Sequence, residues 1–230
     1  MSARPASIAG RTPEALRAQA ARLYQALTRD DKTSSLATAS LASIGHSSAT
    51  GRAALSHRAV VVASTMDELL QGLKALKDGE ETPALIQDSA PRARDVQAPH
   101  ATPLFTRLHD MERTAADLAS AFPAFPSPAR AGQQGGRDSV PAGVEQLLTH
   151  WGVRPHATLE GDPPRETDVP HIAFHLSDVP RSAPRALLGL LAALHTQGAV
   201  VDWHAVFEGH ATQWGDLPAY AFQRKRHWLD

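Results

Sequence analysis

Five stretches of the chain repeat apolar residues at helical spacing. Leu16, Ala20, Leu23 and Leu27 form the first stripe. Thr12 is placed to cap this helix, Pro13 suits its first position, and Glu14 suits the positive end of its dipole. The polar cluster Thr28 to Ser35 ends it. Residues Leu36 to Ile44 fit a small-residue strand or a short helix equally well, and Gly45 to Gly51 reads as a turn. His57 to Ala63 is the best strand, a short β-branched run bounded by turn residues. Ser64 and Thr65 then stand three residues before Asp67 and Glu68, which is capping-box chemistry. Met66, Leu69, Leu70, Leu73 and Leu76 make the next helical stripe, which Gly79 stops. Residues 1–10 show no pattern and are expected to be disordered. Residues 11–79 are expected to form a compact unit of two helices and a small sheet.

Residues 80–183 differ. They hold most of the prolines and a glycine-rich loop from Ala129 to Ser139. So much loop predicts an irregular region. Helical pattern survives over Leu104 to Phe122 and Val144 to Trp151, and His171 to Leu176 is a strand candidate. From Pro184 the pattern returns, with Leu187, Leu188, Leu191 and Leu194 on one face and Gly198 as the stop. Ala199 to Trp203 is a further strand candidate. The tail from Leu217 to Asp230 follows no period. Yet six of the twelve aromatic residues lie from Trp203 onward, so the tail is expected to lie against a folded surface. The fold class is α+β: a small sheet on two or three helices, a loop-rich middle and an irregular aromatic tail.

Composition narrows the function. The net charge of −1 argues against a nucleic-acid binder that works through a basic field. No stretch is long and apolar enough for a membrane span, and the first residues carry no apolar signal core, so a cytoplasmic location is expected. Cysteine is absent, which removes disulfides, thiolate metal sites and a cysteine nucleophile. Gly45-His46-Ser47 invites comparison with a nucleophile elbow, but such an elbow needs glycine on both sides of the serine, and Ala49 stands two residues on. His171 and His175 share a spacing that suits zinc on a helix. On a strand they lie about 13 Å apart, too far for one ion. Gly132 to Gly136 has neither the strand nor the Gly-Lys-Ser/Thr ending of a phosphate loop. No catalytic residue, metal or cofactor is assigned. Tyr220, Phe222, Arg224, Arg226 and Trp228 combine aromatic and basic side chains and are assigned as partner-binding residues.

Residues 11–79 resemble the linker between ketosynthase and acyltransferase domains of modular type I polyketide synthases. The words that carry this are Arg11-Thr12-Pro13-Glu14-Ala15-Leu16, Thr50-Gly51-Arg52-Ala53-Ala54-Leu55, His57-Arg58-Ala59-Val60-Val61-Val62 and Asp67-Glu68-Leu69-Leu70-Gln71-Gly72-Leu73. Leu194 to Trp203 resembles the last acyltransferase helix and strand, and Leu217 to Leu229 resembles the segment after the acyltransferase. Residues 80–183 are too short for the acyltransferase core. Met111 to Phe125 resembles its first helix. Leu147 to Leu159 resembles the lead into the elbow, but Glu160-Gly161-Asp162-Pro163-Pro164 follows where the serine belongs.

The resemblance implies a non-catalytic docking scaffold from secondary-metabolite (antibiotic) biosynthesis. Residues 11–79 would be the linker-like unit, 80–183 a degenerate acyltransferase remnant, and 184–230 the helix, strand and docking tail. The implied partners are a ketosynthase, a trans-acting acyltransferase and an acyl carrier protein. The alternatives are a truncated malonyl-type acyltransferase and a non-functional fragment.

Overall fold

The computed structural model describes residues 3–29, 36, 38–89, 100–104, 111–126, 139–153, 171–175 and 183–221. Its centre is a three-stranded antiparallel sheet in the order β1-β2-β3, formed by Arg4–Gly10, His57–Ala63 and Leu85–Ser89. β2 is the middle strand. Arg4 lies opposite Ala63 and Gly10 opposite His57 on one side, and Val61 opposite Leu85 on the other.

The β-branched run of β2 is continuous because both of its faces are buried. Ala59, Val61 and Ala63 face one core, together with Ala6 and Ile8 of β1. That core is closed by α1 (Pro13–Thr28) and α3 (Met66–Asp78), through Leu16, Ala20, Leu23, Leu69, Leu73 and Leu76. Val60 and Val62 face a second core. It is built by α6 (Ala183–Thr196) with α4 (Met111–Ala121), α5 (Ser139–His150) and the short α7 (Trp203–Val206). The sheet is thus sandwiched between helices from both ends of the chain, in an α+β arrangement.

The helix ends follow their local chemistry. Thr12 Oγ1 accepts from the Ala15 N–H at 3.1 Å, ahead of Pro13. Thr65 Oγ1 accepts from the Glu68 N–H at 3.2 Å. The Glu68 carboxylate reaches back one residue further than in a standard capping box and accepts from Ser64 N–H at 2.8 Å. Gly79 closes α3 with φ of 78°, a left-handed conformation that glycine tolerates.

Four expectations are corrected. The N-terminal residues expected to be disordered contain β1, whose Pro5, Ala6 and Ser7 pair with Val62, Val61 and Val60. The stretch read as a strand-or-helix and then a turn holds α2 (Leu41–Thr50), capped by Ser40 Oγ accepting from Ser43 N–H. β3 and β4 (His100–Leu104) were not foreseen; β4 pairs in parallel with β5 (His171–His175). Ala199 to Trp203 is not a strand, because Ala199–Asp202 form a connection and α7 begins at Trp203. Val200 there is 82% exposed.

The remaining readings meet regular structure. The helix pattern read over Leu104 to Phe122 is met by α4 only from Met111, because Leu104 pairs with His175 as the last residue of β4, and residues 105–110 lie outside the described residues. The patterns over Val144 to Trp151 and Pro184 onward correspond to α5 and α6, and the His171 candidate to β5. Among the described residues no helix is long and apolar enough to cross a membrane.

Candidate functional site

The last described residues, 211–221, have no regular secondary structure, yet they are held at many points. This strap crosses α1 and α2, and its backbone supplies most of the bonding groups. Ser43 Oγ accepts from Gln213 N–H and Ser47 Oγ from Gly215 N–H, each at 3.0 Å. Arg52 Nη2 donates to the Pro218 carbonyl. Arg22 Nη1 donates to the carbonyls of Ala219 at 3.1 Å and Tyr220 at 2.8 Å. Gln19 Oε1 accepts from Ala221 N–H at 2.9 Å, and Tyr220 Oη accepts from Arg11 N–H at 3.1 Å. Buried backbone groups need such partners wherever helix and sheet ladders are absent. Leu217 adds an apolar anchor against the α1–α3 core.

Between the strap and residues 51–55 lies an open cleft of about 900 Å³, lined among others by Arg11, Arg52, Leu55, Trp214, Pro218 and Tyr220. Trp214 is 63% exposed, and its ring stands edge-on to His46 at 6.1 Å. A large exposed indole beside two guanidinium groups is the kind of anchor that protein interfaces favour. Arg52 has its pKa lowered by burial.

Of the five residues assigned to partner binding, Tyr220 lies on this strap and lines the cleft. Phe222, Arg224, Arg226 and Trp228 lie outside the described residues. Ser47 is not in a turn. It sits inside α2, fully buried, with its hydroxyl committed to the Gly215 amide. Gly45 lets α2 press against its neighbours: a Cβ there would meet the Pro5 carbonyl at 2.5 Å and the Phe207 ring at 2.9 Å. His171 and His175 are the two end residues of β5. Among the described residues no group of three His, Asp or Glu could hold a metal ion.

Two polar nodes fasten α6 to the sheet. Arg185 Nη1 donates to Glu68 Oε2 at 2.8 Å and Ser64 Oγ at 3.1 Å, and Nη2 to the Val62 carbonyl at 3.0 Å. The Ser64 N–H and then Arg185 hold the Glu68 carboxyl below its usual range. At the other end of α6, Arg58 Nη1 donates to the His195 carbonyl at 2.8 Å, placing a cation at the negative end of the helix dipole. The His195 ring is buried, with Nε2 3.3 Å from Ser7 Oγ. Burial, and then the Arg58 charge, push its pKa down to about 4. Neither node nor the strap was foreseen residue by residue. The sequence signals that bear on them were the capping residues Ser64 and Glu68 for one node, and the aromatic excess after Trp203 with the resemblance over Leu217 to Leu229 for the strap.

The sheet closed by α1 and α3 makes one compact unit of the chain. Residues 8–80 match the family model described as the RhiE-like, KS-MAT linker domain. The chain's homologues are modular polyketide synthases. It is 39% identical over 130 residues to Polyketide synthase GfsA of Streptomyces halstedii, covering 56% of this chain and 2% of that protein. It is 33% identical over 200 residues to the spectinabilin polyketide synthase system protein NorC of Streptomyces orinoci, covering 75% of this chain and 8% of that protein. The chain therefore spans under a tenth of these relatives' length. In fold it is similar to a ketosynthase from module 6 of the bacillaene synthase from Bacillus subtilis 168, with a TM-score of 0.54 and 12% identity. That likeness covers all of this chain and 27% of the other.

Proposed function

We propose that this KS-MAT linker region is a non-catalytic docking module. In this reading residues 184–230 fold back over the linker unit, the tail binds a ketosynthase, and residues 80–183 are an acyltransferase remnant. A trans-acting acyltransferase and an acyl carrier protein are the further partners, and the setting is the cytoplasm. The observation that carries the reading is the strap. Side chains of α1, α2 and the Arg52 turn hold its backbone, so Trp214 and Tyr220 are presented beside an open cleft at no further ordering cost. The burial of Ser47 and its bond to the Gly215 amide support the non-catalytic part, since a nucleophile must reach substrate.

The test is binding of a purified modular ketosynthase domain by biolayer interferometry. The wild-type chain binds, and Trp228→Ala and Tyr220→Ala each weaken binding by about 30-fold, as loss of an interface anchor does. Lys74→Ala, on the exposed face of α3, leaves it unchanged. Equal binding by all four proteins would sink the docking reading. Incubation with radiolabelled malonyl-coenzyme A is expected to leave the protein unlabelled. Label lost in Ser47→Ala would establish the truncated acyltransferase instead.

A further inference from the structure

We propose that Trp203–His210 is an acid-sensitive latch: protonation of His46 and His195, which pack against it, and of its own His210 releases it from the sheet and frees the strap behind it.

The latch joins α6 to the strap, and histidines from three parts of the chain meet there. His195, on α6, packs edge-on against Trp203 with ring centroids 5.1 Å apart. Its Nε2 faces Ser7 Oγ, and its Nδ1 is buried with no bonding partner. A neutral imidazole needs one donor and one acceptor, whereas the charged ring carries two donors. In the charged ring Nδ1 would therefore carry a proton at a buried position with nothing to accept it. The nearby Arg58 guanidinium would add repulsion.

His210 closes the latch on the other side. Arg4 Nη2 lies 3.2 Å from its Nδ1. A guanidinium only donates, so Nδ1 must accept and the ring proton belongs on Nε2. Protonation converts this contact into two donors facing each other. Burial, and then Arg4, lower the pKa of His210, whose Nε2 is buried without a hydrogen-bond partner. His46, on α2, stands edge-on to His204 at 5.5 Å and Phe207 at 5.7 Å, and its Nδ1 is buried without a partner. Burial, and then His204, lower its pKa.

The charged and titratable groups facing the three rings are Arg4 from β1, Arg58 from β2 and His204 from α7. The carboxylates of the segment are turned elsewhere. Asp202 Oδ1 accepts from the Ala205 N–H, and Glu208 Oε2 bonds His150 Nε2 at 2.9 Å on the exposed side. Among the described residues no carboxylate bonds any of the three rings, so acid adds charge without compensation. All three rings act in one direction. The latch is closed above the ordinary histidine pKa, near 6.5, and loosens as pH falls toward 4.

Hydrogen exchange on the full chain, corrected for the intrinsic pH dependence of exchange, tests this. From pH 7.5 to pH 5.0 the opening constant of residues 203–221 should rise about 25-fold from His195 alone, while β2 and α3 keep their protection. His195→Gln keeps a polar partner for Ser7 and cannot titrate, so it should flatten most of the response. If that variant does not fold, the double variant His46→Gln/His210→Gln gives the decision and should reduce the response. A uniform loss of protection across the sheet, or an unchanged response in the folded variants, would overturn the latch. Ketosynthase affinity at pH 7.5 is a separate readout, so the docking reading stands or falls without it.

Discussion

Ser47 shows how a residue that invites a catalytic reading is used for structure. Its hydroxyl sits in α2 and accepts the amide of Gly215, 168 residues away. Ser43 does the same for Gln213, and Ser48 accepts from the Ser7 amide at 3.1 Å. A serine-rich helix thereby satisfies an edge strand and an irregular strap together. Removing a buried acceptor leaves its donor unpaired, at about 1–3 kcal/mol. Ser47→Ala is therefore expected to lower the unfolding free energy by that amount, read as a lower urea midpoint with the m-value unchanged. None of this was legible beforehand, because the partners are backbone amides distant in sequence and carry no side-chain signature. The capping residues were legible, because Thr12 and Thr65 act on amides three positions away.

Element by element, legibility follows how much each segment owes to its own sequence. α1, α3 and β2 were readable because periodicity, caps and a β-branched run agree. β1 was not. Arg4–Gly10 is made of small residues and a proline, and pairing to β2 is what makes it a strand. α2 contains a glycine and four hydroxyl residues where a helix prefers better formers, and it persists because Ile44 is buried in the α1–α3 core. Ala199 to Trp203 has strand composition, but among the described residues its backbone is tied to a distant part of the chain by the Asp202 N–H, which donates to the Trp151 carbonyl at 2.8 Å, and not by a strand ladder. The fit of α3 on β2 is similarly local. A Cβ at Gly72 would lie 2.4 Å from Val61 Cγ1, on the middle strand of the sheet. Gly72→Ala gains helix propensity but overpacks this contact. A net loss of about 1–3 kcal/mol is expected in chemical denaturation. A stabilised variant would show that α3 can lift away.

At the scale of the whole molecule, the linker unit and the C-terminal region share one sheet. Val60, Val62 and Ile86 would be open to water if α6 were absent, since their core is built from residues beyond position 110 and from Ala3. Arg185 then fixes the angle of α6 by bridging Glu68, Ser64 and the Val62 carbonyl. A chain cut after residue 182 should keep the α1–α3 core but expose an apolar sheet face, which favours association. Size-exclusion chromatography with a hydrophobic dye is expected to show oligomers and dye binding for the truncated chain. A peptide of residues 183–221 added in trans should reverse both, and the same peptide carrying Arg185→Ala should do so less well. A monomeric truncated chain that binds no dye would mean that the sheet face is covered by some other part of the chain, and that α6 is an accessory rather than the second layer of the fold.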